Sequence, residues 1–221
     1  MGIFLRAHWR NIAIVSYAVP DEVLTPHLPP GCELDRLNGM AFASLVALEI
    51  RDTHVLGVKW PGFADFLQWN LRFYVRKGER RGVVFVRQFV PSRLIAIAAR
   101  WRYREPFEQA ALRQVIASTE LRYEVSWRGT SATMALGLTP TPQRADGERE
   151  HFFQQRRWGF RDGAAFEVVH PEWEILPVTS VRVDLDWKEL YGPEWVCLQN
   201  ATPYHAMFAV GSEATVSTPV R

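Results

Sequence analysis

From Trp69 to Arg76 the chain alternates without a fault. Trp69, Leu71, Phe73 and Val75 share one side of an extended backbone, and Asn70, Arg72, Tyr74 and Arg76 share the other. Strict alternation predicts a strand with two unlike faces. Val83 to Val90 is apolar on both faces except at Arg87 and Gln88. Between them, Lys77 to Gly82 carries two glycines and four charges, the composition of an exposed hairpin connection. Pro91-Ser92 turns the chain into Leu94 to Tyr103, read as a third strand. Ala96, Ala98 and Ala99 there suit the close approach of a neighbour, and Arg100, Arg102 and Arg104 alternate with Trp101 and Tyr103.

The rest of the chain follows the same grammar less regularly. Trp9 to Val19 is strand-like, and Pro20 to Leu24 reads as one helical turn with Asp21 and Glu22 at its N-terminal end. Cys32 to Leu37 is a short strand, Asn38-Gly39 a turn and Met40 to Arg51 a long apolar strand. Asp52 to Asp65, with Gly57, Pro61 and Gly62, reads as a loop of the kind that shapes pockets. Arg104 to Ser118 is ambiguous: it holds helix formers, with Leu112, Val115 and Ile116 at helical spacing. Further strands are predicted over Glu120 to Arg128, Ser131 to Leu138, Ala165 to Val169, Val178 to Asp186 and Trp195 to Leu198. Thr139 to Gly147 is a surface loop. Helices are predicted over Arg149 to Phe160 and over Trp187 to Tyr191, the latter stopped by Gly192-Pro193. Ser212 to Arg221 reads as a polar, frayed tail. Roughly nine or ten short strands with few helices predict a mainly β fold, an antiparallel barrel or sandwich. At 221 residues, with no internal repeat or low-complexity linker, one domain is the simplest organisation.

Composition narrows the function classes. Apolar residues make up 48% of the chain, enough for a sizeable core, and a net charge of +2 gives no case for nucleic acid. Arg81 to Val86 partly mimics an RNA-recognition strand but lacks the aromatic after its glycine. The N-terminal stretch carries charges every few residues, so neither a secretory leader nor a membrane span is expected. Two cysteines, Cys32 and Cys197, fit a reducing cytoplasm. His8, His27, His54, His151, His170 and His205 show no ligand spacing, so no metal is expected. Without a Gly-rich phosphate loop or nucleophile elbow, no cofactor is expected either. Only Lys59, Lys77 and Lys188 among 26 basic side chains are lysine. Arginine grips carboxylates bidentately, although a coding bias gives the same skew.

What remains is a polar constellation: Asn70, Arg72, Tyr74, Arg87, Arg100 and Tyr103. If the Asn70/Arg72/Tyr74 face points into a barrel, it would line a pocket able to hold a carboxylate. If it points outward, it is a solvated surface over a core of Trp69, Leu71, Phe73 and Val75. Arg87 and Arg100 interrupt apolar runs and need a partner if buried, for which Glu105 is available. His170, before Pro171, is either an acid or base at neutral pH or an ordinary edge residue.

The order of motifs resembles the YqjF-like family, domain of unknown function 2071, in the acetoacetate decarboxylase-like superfamily. The matching pieces are Leu28-Pro29-Pro30-Gly31, Glu33-Leu34-Asp35, Asp65-Phe66, Asn70-Leu71-Arg72-Phe73-Tyr74-Val75, Arg81-Gly82-Val83-Val84-Phe85, Ala99-Arg100, Glu105-Pro106-Phe107 and His170-Pro171-Glu172-Trp173. The resemblance implies a bent, largely antiparallel β-barrel with an interior cavity and no settled activity. Relatives often carry an acidic residue just before the Asn-Leu-Arg run, where this chain has Gln68-Trp69. The superfamily's named enzyme decarboxylates through a Schiff base on a lysine of depressed pKa. Lys59 lies in a loop, Lys77 opens a hairpin turn and Lys188 begins a helix, so that route is not expected here.

Three functions are therefore carried forward. The first is a barrel binding a small acidic, partly apolar molecule through Asn70, Arg72, Tyr74 and Arg87 or Arg100. The second is an enzyme acting on a small oxo- or carboxylic acid without a Schiff base, with His170 or Tyr74 handling protons. The third is an interaction protein, self-associating or not, whose outward Trp69/Phe73 stripe meets a partner.

Overall fold

The structure is a computed structural model and describes residues 2–220. Eleven principal strands and four helices follow in chain order. They are β1 (Ile3–Ala18), α1 (Asp21–Leu24), β2 (Phe42–Val55), β3 (Phe66–Lys77), β4 (Arg80–Val90), α2 (Arg93–Tyr103), β5 (Ala111–Ile116), β6 (Glu120–Trp127), β7 (Thr130–Leu138), α3 (Glu148–Gln154), β8 (Trp158–Arg161), β9 (Ala164–Val169), β10 (Val178–Asp184), α4 (Trp187–Tyr191) and β11 (His205–Ser217). Strands β1, β2, β3, β4, β8, β9 and β11 form a ring, closed by the long antiparallel pairing of β1 with β11. A second sheet, ordered β10-β7-β6-β5, covers one outer wall.

Both faces of β3 are buried, each against something different. Trp69, Leu71, Phe73 and Val75 enter the core between the barrel and the second sheet, with Tyr123, Val125, Met134 and Leu136. Phe66, Gln68, Asn70 and Arg72 face the barrel interior. The Trp69/Phe73 stripe is fully buried and offers no surface to a partner. Its covering is the second sheet and α4, where the Tyr191 hydroxyl accepts a hydrogen bond from the Trp69 indole at 2.8 Å. In β1 the parity of the inward row switches between Trp9 and Ile12, across a bulge at Asn11 with φ +52°.

Several elements differ from the sequence reading. Leu94 to Tyr103 is helix rather than strand. Ser92 caps it by accepting from the Ile95 amide at 3.4 Å, and Arg104 ends it at φ +56°. Ile95, Ala99 and Tyr103, four residues apart, all face the cavity, so the helical period decided the element and the arginine alternation was incidental. The ambiguous stretch is two strands, Phe107–Gln109 and β5, the second held by β6 across its whole length. The helix predicted to Phe160 stops at Gln154, because Trp158–Arg161 is needed as the strand bridging β4 and β9. Trp195 to Leu198 lies in a 3₁₀ turn, Pro193–Leu198, and the last strand is β11. The supposed tail is therefore barrel wall as far as Ser217, and Val220 still pairs with Ala165. Arg221, at the end of that prediction, and Met1 lie outside the described residues. The predicted loop from Asp52 is also partly strand, since β2 runs to Val55 and pairs with Val58–Lys59.

Ring closure depends on one close approach. Where β4 meets β8 in parallel, a Cβ on Gly82 would collide with the Trp158 carbonyl oxygen. Gly82→Ala is expected to cost about 1–3 kcal/mol through this overpacking. Urea unfolding should show a lower midpoint at unchanged slope.

Candidate functional site

The barrel encloses a cavity of about 180 Å³, far above the ~10–15 Å³ that one buried water needs. Its walls are mostly apolar: Trp9, Ile12 and Ile14 from β1, Val46, Leu48 and Ile50 from β2, Phe85 from β4, and Trp173 from the segment after β9. α2 covers one side through Ile95, Ala99 and Tyr103. Into this apolar lining the fold places Gln68, Asn70, Arg72, Gln88 and Glu105.

Several of these groups are buried without a partner. Asn70 Oδ1, Arg72 Nε and Glu105 Oε1 all lack one, and so does the indole nitrogen of Trp9. Arg72 donates from Nη2 to the Phe153 carbonyl at 3.1 Å, and the nearest ring beneath it is Tyr74, 5.8 Å from its guanidinium carbon. Buried polar groups are normally satisfied, so a cluster of unsatisfied ones in a roomy cavity is a place prepared for a ligand or water.

Glu105 is the most perturbed group of the site. Gln68 Nε2 donates to Gln88 Oε1 at 2.6 Å, and Gln88 Nε2 donates to Glu105 Oε2 at 3.2 Å. Complete burial raises its carboxyl to about 8, and the more distant Arg161 and the Gln88 amide only partly oppose that. At neutral pH Glu105 is therefore predominantly a neutral acid and a hydrogen-bond donor.

The structure separates the polar constellation. Asn70, Arg72 and Tyr103 line the cavity. The Tyr103 hydroxyl donates to the Ser217 carbonyl at 3.3 Å, and burial raises its pKa. Tyr74 lies beyond the cavity row, with its hydroxyl on Ser44 at 2.6 Å and its ring against those of Phe152 and Phe153. Arg87 is a correction. A bulge pairs Leu71 with Arg87 and Arg72 with Phe85, so Arg87 follows Val86 to the outer core and Gln88 takes the inward place. Arg87 donates to the Leu190 carbonyl and stacks on Trp127 at 4.7 Å, and burial lowers its pKa. Arg100 is a second correction: it lies on the solvent side of α2, 3.7 Å from Glu108. Glu105 is thus the partner of neither arginine. His170 stands outside the cavity, stacked on Trp173 at 3.9 Å with Nδ1 at 2.7 Å from the Pro171 carbonyl. Burial lowers its pKa.

Sequence reasoning missed Gln68, Gln88 and Glu105 as members of one chain. The signal for Gln88 was present as a break in an apolar run. No local pattern could reveal that Glu105, 17 residues later, meets it. None of the three lysines lines the cavity, and Lys59 is held at 2.5 Å by Asp52 on the surface. Among the described residues no cluster of three His, Cys, Asp or Glu side chains could hold a metal ion. No helix among them is long and apolar enough to cross a membrane.

Comparisons with known proteins agree with this architecture. Residues 6–213 match the model of a family described as an uncharacterized conserved protein, domain of unknown function 2071. No curated protein matches the chain. Among solved structures, an acetoacetate decarboxylase from Legionella pneumophila superposes with a TM-score of 0.69 at 13% identity, covering 98% of this chain and 86% of the other. The enduracididine biosynthesis enzyme MppR, complexed with pyruvate, gives 0.68 at 14% identity, covering 98% and 89%. An acetoacetate decarboxylase-like enzyme from Sphingomonas wittichii RW1 gives 0.66 at 12% identity, covering 100% and 94%. At such identities the likeness shows the fold alone.

Proposed function

The chain belongs to the family of domain of unknown function 2071 and has the fold of acetoacetate decarboxylase, and on that footing we propose that its barrel cavity binds a small acidic, partly apolar molecule. The observation that carries this reading is Arg72, a cavity-lining guanidinium whose Nε is buried and, among the described residues, unpartnered. Asn70 adjoins it, and neutral Glu105 can donate to a second oxygen of the same ligand. The pyruvate in the similar MppR structure supports a small oxo acid as one member of the class. Two free cysteines, Cys32 and Cys197, support a reducing cytoplasm as its location.

Thermal shift tests the reading. A ligand binding only the folded chain raises Tm by mass action, so pyruvate and short carboxylic acids should raise it in the wild type. Arg72→Gln should fold and lose that shift. A shift of equal size in the variant would remove Arg72 from the site.

Turnover of the acid without a Schiff base is a second reading, favoured by the buried carboxyl of Glu105. Tyr74 and His170 leave the proton-handling role, since the Tyr74 hydroxyl is engaged by Ser44 and His170 lies outside the cavity. Glu105 takes it over as a group that can exchange a proton near neutral pH. Exchange of pyruvate methyl hydrogens for solvent deuterium, followed by NMR, should be accelerated by the wild type and not by Glu105→Gln. Equal rates in both would end this second reading.

A further inference from the structure

A second apolar space adjoins the barrel cavity. An apolar groove of about 380 Å³ lies between α2 and the segment from Thr53 to Phe66. It shares Leu5, Phe66, Ile95, Ala99 and Tyr103 with the barrel cavity, so the two spaces adjoin beneath α2. At the outer rim two large apolar side chains stand open to solvent, Trp60 at 56% and Leu94 at 63% exposure. The unpartnered polar atoms of Asn70 and Arg72 belong to the inner cavity alone. Along β3 the inward row from Phe66, which borders the groove, to Arg72 covers six residues, about 20 Å.

A lining polar and cationic at its inner end and mostly apolar along the rest, where Thr53 and Arg102 join Tyr103 as the polar residues, matches one shape of molecule. We propose that the ligand is an amphipathic monocarboxylate with an unbranched hydrocarbon chain. Its carboxylate sits at Arg72 and Asn70, and its chain runs past Ile95 and Ala99 into the groove beneath Trp60 and Leu94. This rests on the acid-binding reading of the cavity and extends it to a substrate class. A peptide or a second copy of the chain would cover the rim but leave the guanidinium inside the barrel unmatched. A slender chain with a terminal charge fills both compartments.

Binding of butyrate, octanoate and dodecanoate by ligand-observed NMR and calorimetry tests the proposal in the wild type, Ala99→Phe, Leu94→Asp and Arg72→Gln. Each methylene buried should tighten binding about fourfold, so octanoate should exceed butyrate on the order of a hundredfold. Ala99→Phe fills the space between the two compartments and should erase the gain with chain length. Leu94→Asp is a control for folding, because an acidic residue suits the first turn of α2, and it should weaken dodecanoate while leaving butyrate unchanged. Arg72→Gln should weaken all three acids. If octanoate binds no better than butyrate, or Ala99→Phe and Leu94→Asp leave dodecanoate unchanged while Arg72→Gln weakens all three acids, the tail path is wrong and the acid site stands. If Arg72→Gln changes the binding of none of the three acids, or no acid binds the wild type, the acid site fails and the tail path fails with it.

Discussion

Replacing Asp35 by alanine is expected to lower Tm on the order of 10 °C. Asp35 is buried beside β3, where its amide donates to the Tyr74 carbonyl at 3.0 Å. Its carboxylate takes two bonds from Arg81, at 2.7 and 3.2 Å, and one from Arg156. Arg81 is half exposed and can fall back on water, but the Arg156 side chain is 1% exposed. Burial lowers the Arg156 pKa only to about 10, so it stays charged at neutral pH. Removing Asp35 therefore strands a charge in the interior, a loss of roughly 3–5 kcal/mol for a buried pair broken on one side. For a chain of this size each kcal/mol moves Tm by about 2–4 °C. The exposed Lys59–Asp52 pair, by contrast, is worth about 0–1 kcal/mol. Combining Asp35→Ala with Arg156→Met removes both charges and should recover much of the loss, because the coupling between touching residues is what the cycle measures. A Tm within two degrees of wild type for Asp35→Ala alone, by differential scanning calorimetry, would contradict this account.

That pair bears on the site as well as on stability. Arg156 lies over the rings of Phe152 and Tyr74, at 4.0 and 4.9 Å, and so pins the end of α3 to β3. The next residue of α3, Phe153, supplies the carbonyl that holds Arg72. Asp35, Arg81 and Tyr74 all fall within motifs by which the sequence resembled its family. They surround the cavity's support, while Arg72, Glu105 and Trp173, from the same motifs, stand in its wall.

The legible parts of the fold were those carried by local periodicity. β3 showed in its alternation, and α4 in Gly192-Pro193 after an apolar turn. The barrel itself followed from strand number and from the resemblance. Parity in β3 could not say which face was interior, because the second sheet buries the Trp69 face as fully as the barrel buries the Asn70 face. Arg87 was misplaced because a bulge resets parity, and a bulge leaves no mark in an otherwise apolar strand. α2 was misread because Arg100 and Arg102, which lie off the cavity row, mimic a strand's alternation, while Ile95, Ala99 and Tyr103 kept the helical period. β11 was lost because its pairing partners, β1 and β9, lie far away in sequence.

The carboxyl of Glu105 should make stability fall as pH rises from about 5 to 8. Below its ordinary value of 4.5 both the folded and the unfolded chain hold this proton. Between 4.5 and about 8 the folded chain holds it and the unfolded chain does not, so every step upward in pH favours unfolding. Above about 8 the carboxylate must be carried ionised inside an apolar cavity, and the whole contribution is gone. At about 1.4 kcal/mol for each pH unit in that window, the loss is on the order of 4 kcal/mol. His170 and His205, whose pKa values burial lowers, tilt the curve the other way below their ordinary 6.5, so the effect is cleanest as a difference. Glu105→Gln keeps the shape and cannot ionise. Its Tm should stay close to wild type at pH 5 and exceed it by about 10 °C at pH 8.5. The same proton governs binding: an ionised Glu105 repels an anionic ligand held at Arg72, so wild-type affinity for pyruvate should fall above pH 8 while that of Glu105→Gln stays level. Parallel Tm curves for the two proteins from pH 5 to 8.5 would mean that Glu105 is already ionised when folded, and would take from the cavity its neutral donor.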